Sequence, residues 1–384
     1  MKVAISGCGI TGAAVACLLA EMGHDIQVFE QAEQCRPVGA GIMLQPSGQQ
    51  VLADMGLLDG LAEVSARLDG LLALHKSGRQ LVSLKYQWLN RELFGLGVHR
   101  GTLFTSLLNR ALHLGVQIHS GHRIVDYTVD DDSVSVVSEH GACHGGFDFL
   151  IAADGSRSQL RSTAGIRSKI VEYDFAALWA TGNCDYLPGS LVQIVNGTRQ
   201  LVGILPIGKG QASFFWGLPA AEWEQLQESP IVEWKQAVLD VCPDAVSMLD
   251  EMEDFGCLTF ARYRHVKMSS WYADRIVFLG DAAHATSPHL GQGVNLGLED
   301  ARCFVDALQS TGDFQGACRL FSKQRRRKLR YYSQLTHMLT PFFQSHGRVR
   351  GTLRNIFLPW FPRTPFVRRE MIRTLSGYKN GWLR

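Results

Sequence analysis

Residues 2–12 read Lys2-Val3-Ala4-Ile5-Ser6-Gly7-Cys8-Gly9-Ile10-Thr11-Gly12, and the fold is decided here. Residues 2–6 form a short apolar run rich in β-branched side chains, as a buried strand does. Ala and Leu then dominate the buried faces of a helix predicted from about Ile10 to Met22. A second buried strand follows at Ile26-Gln27-Val28-Phe29-Glu30. Strand, helix and strand make one βαβ unit, with a crossover that is almost always right-handed. Gly7, Gly9 and Gly12 permit a tight turn, close approach of a pyrophosphate and close helix–strand contact. Thr11 sits among them, where phosphates would meet unpaired amides and the positive end of the helix dipole. Glu30 would accept hydrogen bonds from a ribose diol. The glycine spacing alone also describes a tight turn without a ligand. The strand, helix and acid around it select a dinucleotide site, and the acid favours FAD or NAD over NADP.

Two further strand-to-helix corners lie far downstream. Asp148-Phe149-Leu150-Ile151-Ala152-Ala153-Asp154-Gly155-Ser156-Arg157-Ser158 is a buried strand ending in an Asp-Gly turn. By its residues it fits a capped turn or a ligand corner equally well. Gly280-Asp281-Ala282-Ala283-His284, Pro288, Gly291-Gln292-Gly293-Val294-Asn295 and Glu299-Asp300 form the third. A strand at Arg275 to Leu279 delivers Asp281, which can hydrogen-bond the hydroxyls of a ribityl chain. Gly291 and Gly293 open a helix whose bare amides would stabilise negative charge on a reduced flavin ring. His284 reads as a packed, satisfied histidine and Pro288 as a loop-shaping residue.

Between these corners the texture changes. From about 170 to 218 and 256 to 263, β-rich runs alternate with Gly/Pro turns, which predicts a mostly antiparallel second sheet interrupted by a helix near 230–241. Residues 47–56 and 102–114 read as helices. Strands are predicted at 116–119, 123–129 and 134–138, with Asp130-Asp131-Asp132 as a turn. One long helix is expected over 315–343, ended by Pro341 or just before it. The fold class is therefore α/β: a Rossmann-like domain for FAD or NAD with an interleaved, mostly antiparallel sheet domain and a C-terminal helical tail. The expected division is 1–170 and 271–310 for the nucleotide domain, 171–270 for the substrate sheet and 311–384 for the tail.

These corners, in this order and spacing, resemble the aromatic-hydroxylase class of flavoprotein monooxygenases, which has a GR2-type FAD-binding domain. Para-hydroxybenzoate hydroxylase and the ubiquinone-biosynthesis hydroxylases are familiar members. The resemblance runs from about Lys2 to Thr340. It implies that Gly7, Gly9, Gly12 and Glu30 hold the ADP half of FAD, and that Arg36 approaches the nucleotide ahead of Gly39-Ala40-Gly41-Ile42. It places Arg100, in His99-Arg100-Gly101-Thr102-Leu103, at the family's second arginine. Asp154-Gly155 matches a motif serving both FAD and pyridine nucleotide. Asp281 matches the aspartate on the ribityl chain, and Gly291, Gly293, Val294 and Asn295 the loop beside the flavin ring. Thr11 departs from the family's small apolar residue, and Ala13-Ala14 from a bulkier one. The implied reaction uses NADH or NADPH to reduce FAD; O2 then gives a flavin C4a-hydroperoxide that hydroxylates an electron-rich ring. The flavin supplies this chemistry, while the protein supplies orientation and water exclusion. No metal is implied. Gln193, Phe215, Trp216, Tyr173 and Arg262 are candidates to line the substrate, or are ordinary core. His99 is a guess for a substrate base. Rival readings are a flavin halogenase, an isoprenoid reductase of the same fold, or a non-catalytic flavin-binding protein. Phe214-Phe215-Trp216-Gly217-Leu218-Pro219 only half matches the halogenase W-x-W-x-I-P stretch.

Composition excludes other classes. There are nine cysteines, an odd number with no C-x-x-C pair, so a disulfide framework and a zinc site are not expected; free thiols fit a reducing cytoplasm. No apolar run of transmembrane length occurs. The net charge of +2 hides an asymmetry, because residues 319–384 hold 16 Lys/Arg and one acid, Glu370. No nucleic-acid recognition motif accompanies that charge. Two readings remain for the basic tail with its Phe342-Phe343, Phe357-Leu358 and Trp360-Phe361: pairing with the acidic body, or peripheral contact with an anionic membrane. The partner is otherwise a small-molecule substrate, for a monomer or homodimer.

Overall fold

The computed structural model describes residues 1–35 and 39–382. The strand Lys2–Ser6 lies at the centre of a six-stranded sheet, in the order 272–273, 276–278, 149–152, 2–6, 25–30, 117–120. Its last five strands run parallel: Val3 pairs with both Phe149 and Ile26, and Leu150 with Ile276. Parallel strands are covered on both faces and read as continuous apolar runs, as Phe149–Ala152 does, with all four residues buried. The helices Ile10–Glu21 and Gly293–Thr311 cover one face, and Val15, Leu19, Ile151, Leu298 and Phe304 share one core there.

A seven-stranded sheet stands beside it, in the order 259–268, 168–183, 211–219, 200–208, 191–196, 70–75, 80–85. Every pairing is antiparallel except 191–196 with 70–75. The sequence reading placed Gly70–His75 and Gln80–Lys85 in the nucleotide half, whereas they extend this sheet. Side chains alternate between faces. The back face packs Leu178, Phe214 and Trp216 against Trp234 and Val238. The front face packs Leu205 and Phe215 with Met43, Tyr86, Ile372 and Leu375. Two small sheets, 41–44 with 95–99 and 66–68, and 124–129 with 134–138 and 143–147, complete the strands.

The long helix spans Phe314–Phe343 and runs through Pro341, contrary to the expected stop. Only Phe342 and Phe343 follow the proline, so its missing N–H costs the last turn one bond. The Gln344 amide still reaches the Thr340 carbonyl at 2.8 Å. The basic run on this helix turns partly inward. Arg325 and Lys328 are buried on Glu299 and Asp300, while Arg326 and Arg327 stay exposed. The tail then folds into helices Arg348–Phe357 and Pro365–Leu375, joined by a tight turn. No helix among the described residues is long and apolar enough to cross a membrane.

Candidate flavin site

The first corner is shaped by contacts that exclude side chains. Gly7 has φ +97°, in the left-handed region, and its amide donates to the Phe29 carbonyl at 2.8 Å. A Cβ there would stand 2.6 Å from the Ala153 oxygen and 2.8 Å from Asp154 Cα, so the first corner is pressed against the second. At Gly12 a Cβ would lie 2.0 Å from the Gly7 oxygen, which is the close helix–strand approach expected from the spacing. Thr11 joins the first corner to the third. Its Oγ1 occupies the place of a Cβ on Gly280, at 2.6 Å, and on Gly297, at 2.2 Å. All three corners therefore meet at the C-terminal ends of the parallel strands.

At Gly9 and Gly291, by contrast, a Cβ would meet nothing within 4 Å. At Gly293 it would find only Asp281 Oδ1, at 3.9 Å. These glycines border open space, and the polar groups around that space suit a dinucleotide. Glu30 turns into the crevice: Oε2 accepts from the Cys8 amide at 2.7 Å and Oε1 from the Ala32 amide at 3.0 Å. Each oxygen keeps a lone pair for a ribose hydroxyl. Asp154 Oδ1 is buried without a partner. Burial pushes the Asp154 carboxyl up to about 6, against the opposing pull of Ser158 and Arg161. Asp281 is solvent-accessible yet closely surrounded by protein. Burial raises its carboxyl, opposed by His284 and Arg100. Arg100 opens the helix Arg100–His113, and its Cδ fills the space a side chain on Gly39 would need. Arg36 lies outside the described residues. The residues present fit FAD: an acid for a ribose, two bare glycine corners for phosphates, a carboxylate for a ribityl chain and an open helix start, Gly293–Val294, for the ring.

Other assignments change role. Asn295 is fully buried, and its side chain is occupied by protein. Oδ1 accepts from the Gln45 amide at 2.8 Å, while Nδ2 donates to the carbonyls of Met43 and Gly291 at 3.1 Å each. It holds the loop's shape. His284 is the satisfied histidine expected: Nε2 lies 2.5 Å from Asp300 Oδ2, which also takes the Gly280 amide at 3.1 Å. His99 caps its helix, with Nδ1 accepting from the Gly101 amide at 3.1 Å.

The substrate candidates divide by face. Gln193, Gly203 and Phe215 lie in one row across the front. The Phe215 ring lies over Gly203, where a Cβ would be 1.9 Å from its Cε1, and the ring packs at a tilt of 41° against Trp179, 5.1 Å between centroids. Trp216 is a correction. Strand alternation turns it to the back face, 6.4 Å from Trp234, away from the nucleotide. Arg262 is a second correction, since it is exposed and faces Glu172 at 4.0 Å, beyond a register shift in its strand. Tyr173 donates to or accepts from His337 Nδ1 at 3.0 Å. Sequence reasoning missed His289, two residues before Gly291. Its Nδ1 lies 2.9 Å from Ser287 Oγ, its Nε2 is buried without a partner, and burial lowers the ring to about 4. A histidine inside the Pro288–Gly291 loop was the only available signal.

Two cavities of about 470 and 280 Å³ lie elsewhere, along the C-terminal helix near Arg373. Neither is lined by a residue of the three corners.

Comparison with known proteins agrees with this geometry. The chain is 25% identical over 406 residues to 3-hydroxybenzoate 6-hydroxylase of Polaromonas naphthalenivorans, covering 99% of this chain and 97% of that one. It is 26% identical over 352 residues to 6-hydroxynicotinate 3-monooxygenase of Bordetella bronchiseptica, covering 88% and 90%. The crystal structure of Klebsiella pneumoniae HpxO complexed with FAD and uric acid shares the fold, with a TM-score of 0.83 at 22% identity over 98% of this chain and 97% of that one. A family model described as "FAD binding domain" matches residues 1–318. The first two corners and the Gly280–Asn295 loop all fall within that match, and the chain belongs to this family of FAD-dependent monooxygenases.

Proposed function

We propose that the protein hydroxylates a small aromatic or other electron-rich ring, consuming O2 and NADH or NADPH. The balance is substrate C–H, O2, NAD(P)H and a proton giving substrate C–OH, NAD(P)+ and water. When bound, FAD supplies the two-electron chemistry that links nicotinamide oxidation to oxygen activation. The observation that carries the reading is the convergence of three corners on open space bordered by Gly9, Gly291 and Gly293, with Asp154 unpartnered beside it.

The chain's own residues bind, orient and exclude water. Glu30 takes ribose hydroxyls, and Asp281 takes the ribityl chain, with Arg100 balancing its charge. The amides of Gly293 and Val294 open a 19-residue helix, whose dipole favours negative charge at that point. Phe215, Trp179 and Gln193 offer the ring a largely apolar front face with one amide to orient it. His289 is neutral at pH 7, and its unpartnered Nε2 is proposed to accept a hydrogen bond from a ring hydroxyl and so orient it. The relatives' printed names, on a hydroxybenzoate and a hydroxynicotinate, support a ring carrying both a hydroxyl and a carboxylate. The nine thiols are free, which supports a reducing cytoplasmic setting.

The test is oxidation of NADH and NADPH by the FAD-loaded protein across hydroxybenzoates and hydroxypyridines, with ¹⁸O2 incorporation into product. Substrate-stimulated oxidation with one labelled oxygen per product supports the reading. Tightly bound FAD with no stimulated oxidation by any ring would show a non-catalytic flavoprotein instead.

A further inference from the structure

The helix Arg348–Phe357 is built the wrong way round for a surface helix. Such helices normally turn their apolar stripe to the core. Here the inward face is polar or bare. Arg354 is buried and donates to the carbonyls of Phe342 and Gly197, both at 2.9 Å. Gly351 meets Thr198, where a Cβ would be 3.0 Å from Cγ2. Val349, Leu353, Ile356, Phe357 and Trp360 recur at helical spacing on the opposite side. Val349 is 71% and Trp360 61% exposed, and Phe366 beyond the turn is 73% exposed. The body therefore anchors this helix by its polar side and presents its apolar side outward.

The rim is cationic. Arg350 and Arg369 are exposed and have no carboxylate partner among the described residues. Arg363 lies over the Trp360 ring at 4.5 Å, and Arg368 over Trp88 at 5.0 Å. The one acid of residues 319–384, Glu370, is already held by Arg373 and Lys379. Of the tail's other cations, Arg325 and Lys328 are spent on Glu299 of the body, whereas Arg326 and Arg327 face water on the long helix. A second copy docked by two-fold symmetry would set this arginine rim against itself. An anionic phospholipid surface would accept the apolar face into its acyl boundary and the arginines among its phosphates. We propose that the outer face of residues 348–363, with Phe366, seats the protein on an anionic bilayer as a peripheral, non-spanning contact.

The test is cosedimentation of the FAD-loaded full chain with phosphatidylcholine vesicles and with mixed phosphatidylcholine–phosphatidylglycerol vesicles. Sedimentation with the mixed vesicles only, weakened by salt, is expected. Ile356→Glu with Trp360→Glu should abolish it, and Arg350→Glu should weaken it at least about fivefold, the value of one cation at such a surface. Both changes lie on exposed positions, and retained flavin absorbance reports an intact fold. Lipids brominated in the acyl chain should quench tryptophan fluorescence of the unaltered protein, and less so in Trp360→Phe, which does not depend on the charged variants. No binding to mixed vesicles, equal binding to neutral ones, or a concentration-dependent dimer dispersed by Ile356→Glu/Trp360→Glu would overturn the proposal; the last would assign the face to a second copy.

Discussion

At Gly12 a Cβ would stand 2.0 Å from a backbone oxygen, whereas at Gly9 it would meet nothing within 4 Å. The two glycines of one turn thus answer to different demands, folding at Gly12 and ligand approach at Gly9. Gly12→Ala is expected to destabilise the protein by about 3 kcal/mol through overpacking, read by urea unfolding. Gly9→Ala should leave the unfolding midpoint in place yet weaken FAD binding about tenfold, equal to ~1.4 kcal/mol, read by flavin fluorescence titration. Asp154 supplies a pH test on the FAD-free protein. Its folded pKa, about 6, is above the ordinary 3.8, so between these values the folded state binds more protons. Stability must fall as pH rises through that window, by at most about 3 kcal/mol. Asp154→Asn should flatten this slope in unfolding measured from pH 4 to pH 7.

Elements are locked together by buried polar groups that the sequence shows only as isolated letters. Asn295 ties the helix Gly293–Thr311 to the strand Gly41–Leu44 and to the start of the helix Pro46–Asp54. Asn295→Ala strands the Gln45 amide and the Met43 carbonyl, and should cost about 3 kcal/mol with a matching loss of FAD retention. Asp300 and Glu299 bind the same helix to Phe314–Phe343. Burial opposes ionisation of Asp300, but His284 and Arg325 outweigh it and hold the carboxyl below its ordinary 3.8. For Glu299, Arg325 and Lys328 likewise overcome burial and hold it below 4.5. Stability from both is complete above these ordinary values and is lost as pH falls below them. Arg325→Met leaves two buried carboxylates short of charge and should cost about 4 kcal/mol near pH 7, shrinking on acidification, as measured by thermal scans.

Across the whole molecule, the core on the front of the large sheet is assembled from distant parts of the chain: Met43 and Tyr86, then Leu205 and Phe215, then Ile372 and Leu375. The family match stops at residue 318, yet the last helix reaches the flavin loop. Gln292 Nε2 donates to the Leu375 carbonyl at 2.7 Å, and the Ser47 amide to the Ser376 carbonyl at 3.2 Å. A chain ended at residue 364 should lose two buried aliphatics and these bonds, together ~5 kcal/mol, and melt on the order of 10 °C lower. Weaker flavin binding should accompany the lower Tm, measured on the same sample.

The sequence by itself determined the nucleotide half. A continuous apolar run, a glycine turn and an Ala/Leu helix are local signals, and Gly7, Gly12 and Glu30 sit at the strand end, the helix start and the second strand end that their spacing implied. The tertiary structure alone decided what depends on a second segment. Trp216 and Phe215 are neighbours in sequence, and which one faces the front follows from pairing and register rather than composition. Arg325 and Arg326 are adjacent, yet one neutralises buried carboxylates and the other faces water, because only the docking of two helices chooses between them. Residues 70–85 joined the large sheet through a parallel partner more than a hundred positions away. Spacing reports which residues share a face of one element; it cannot report what that face meets.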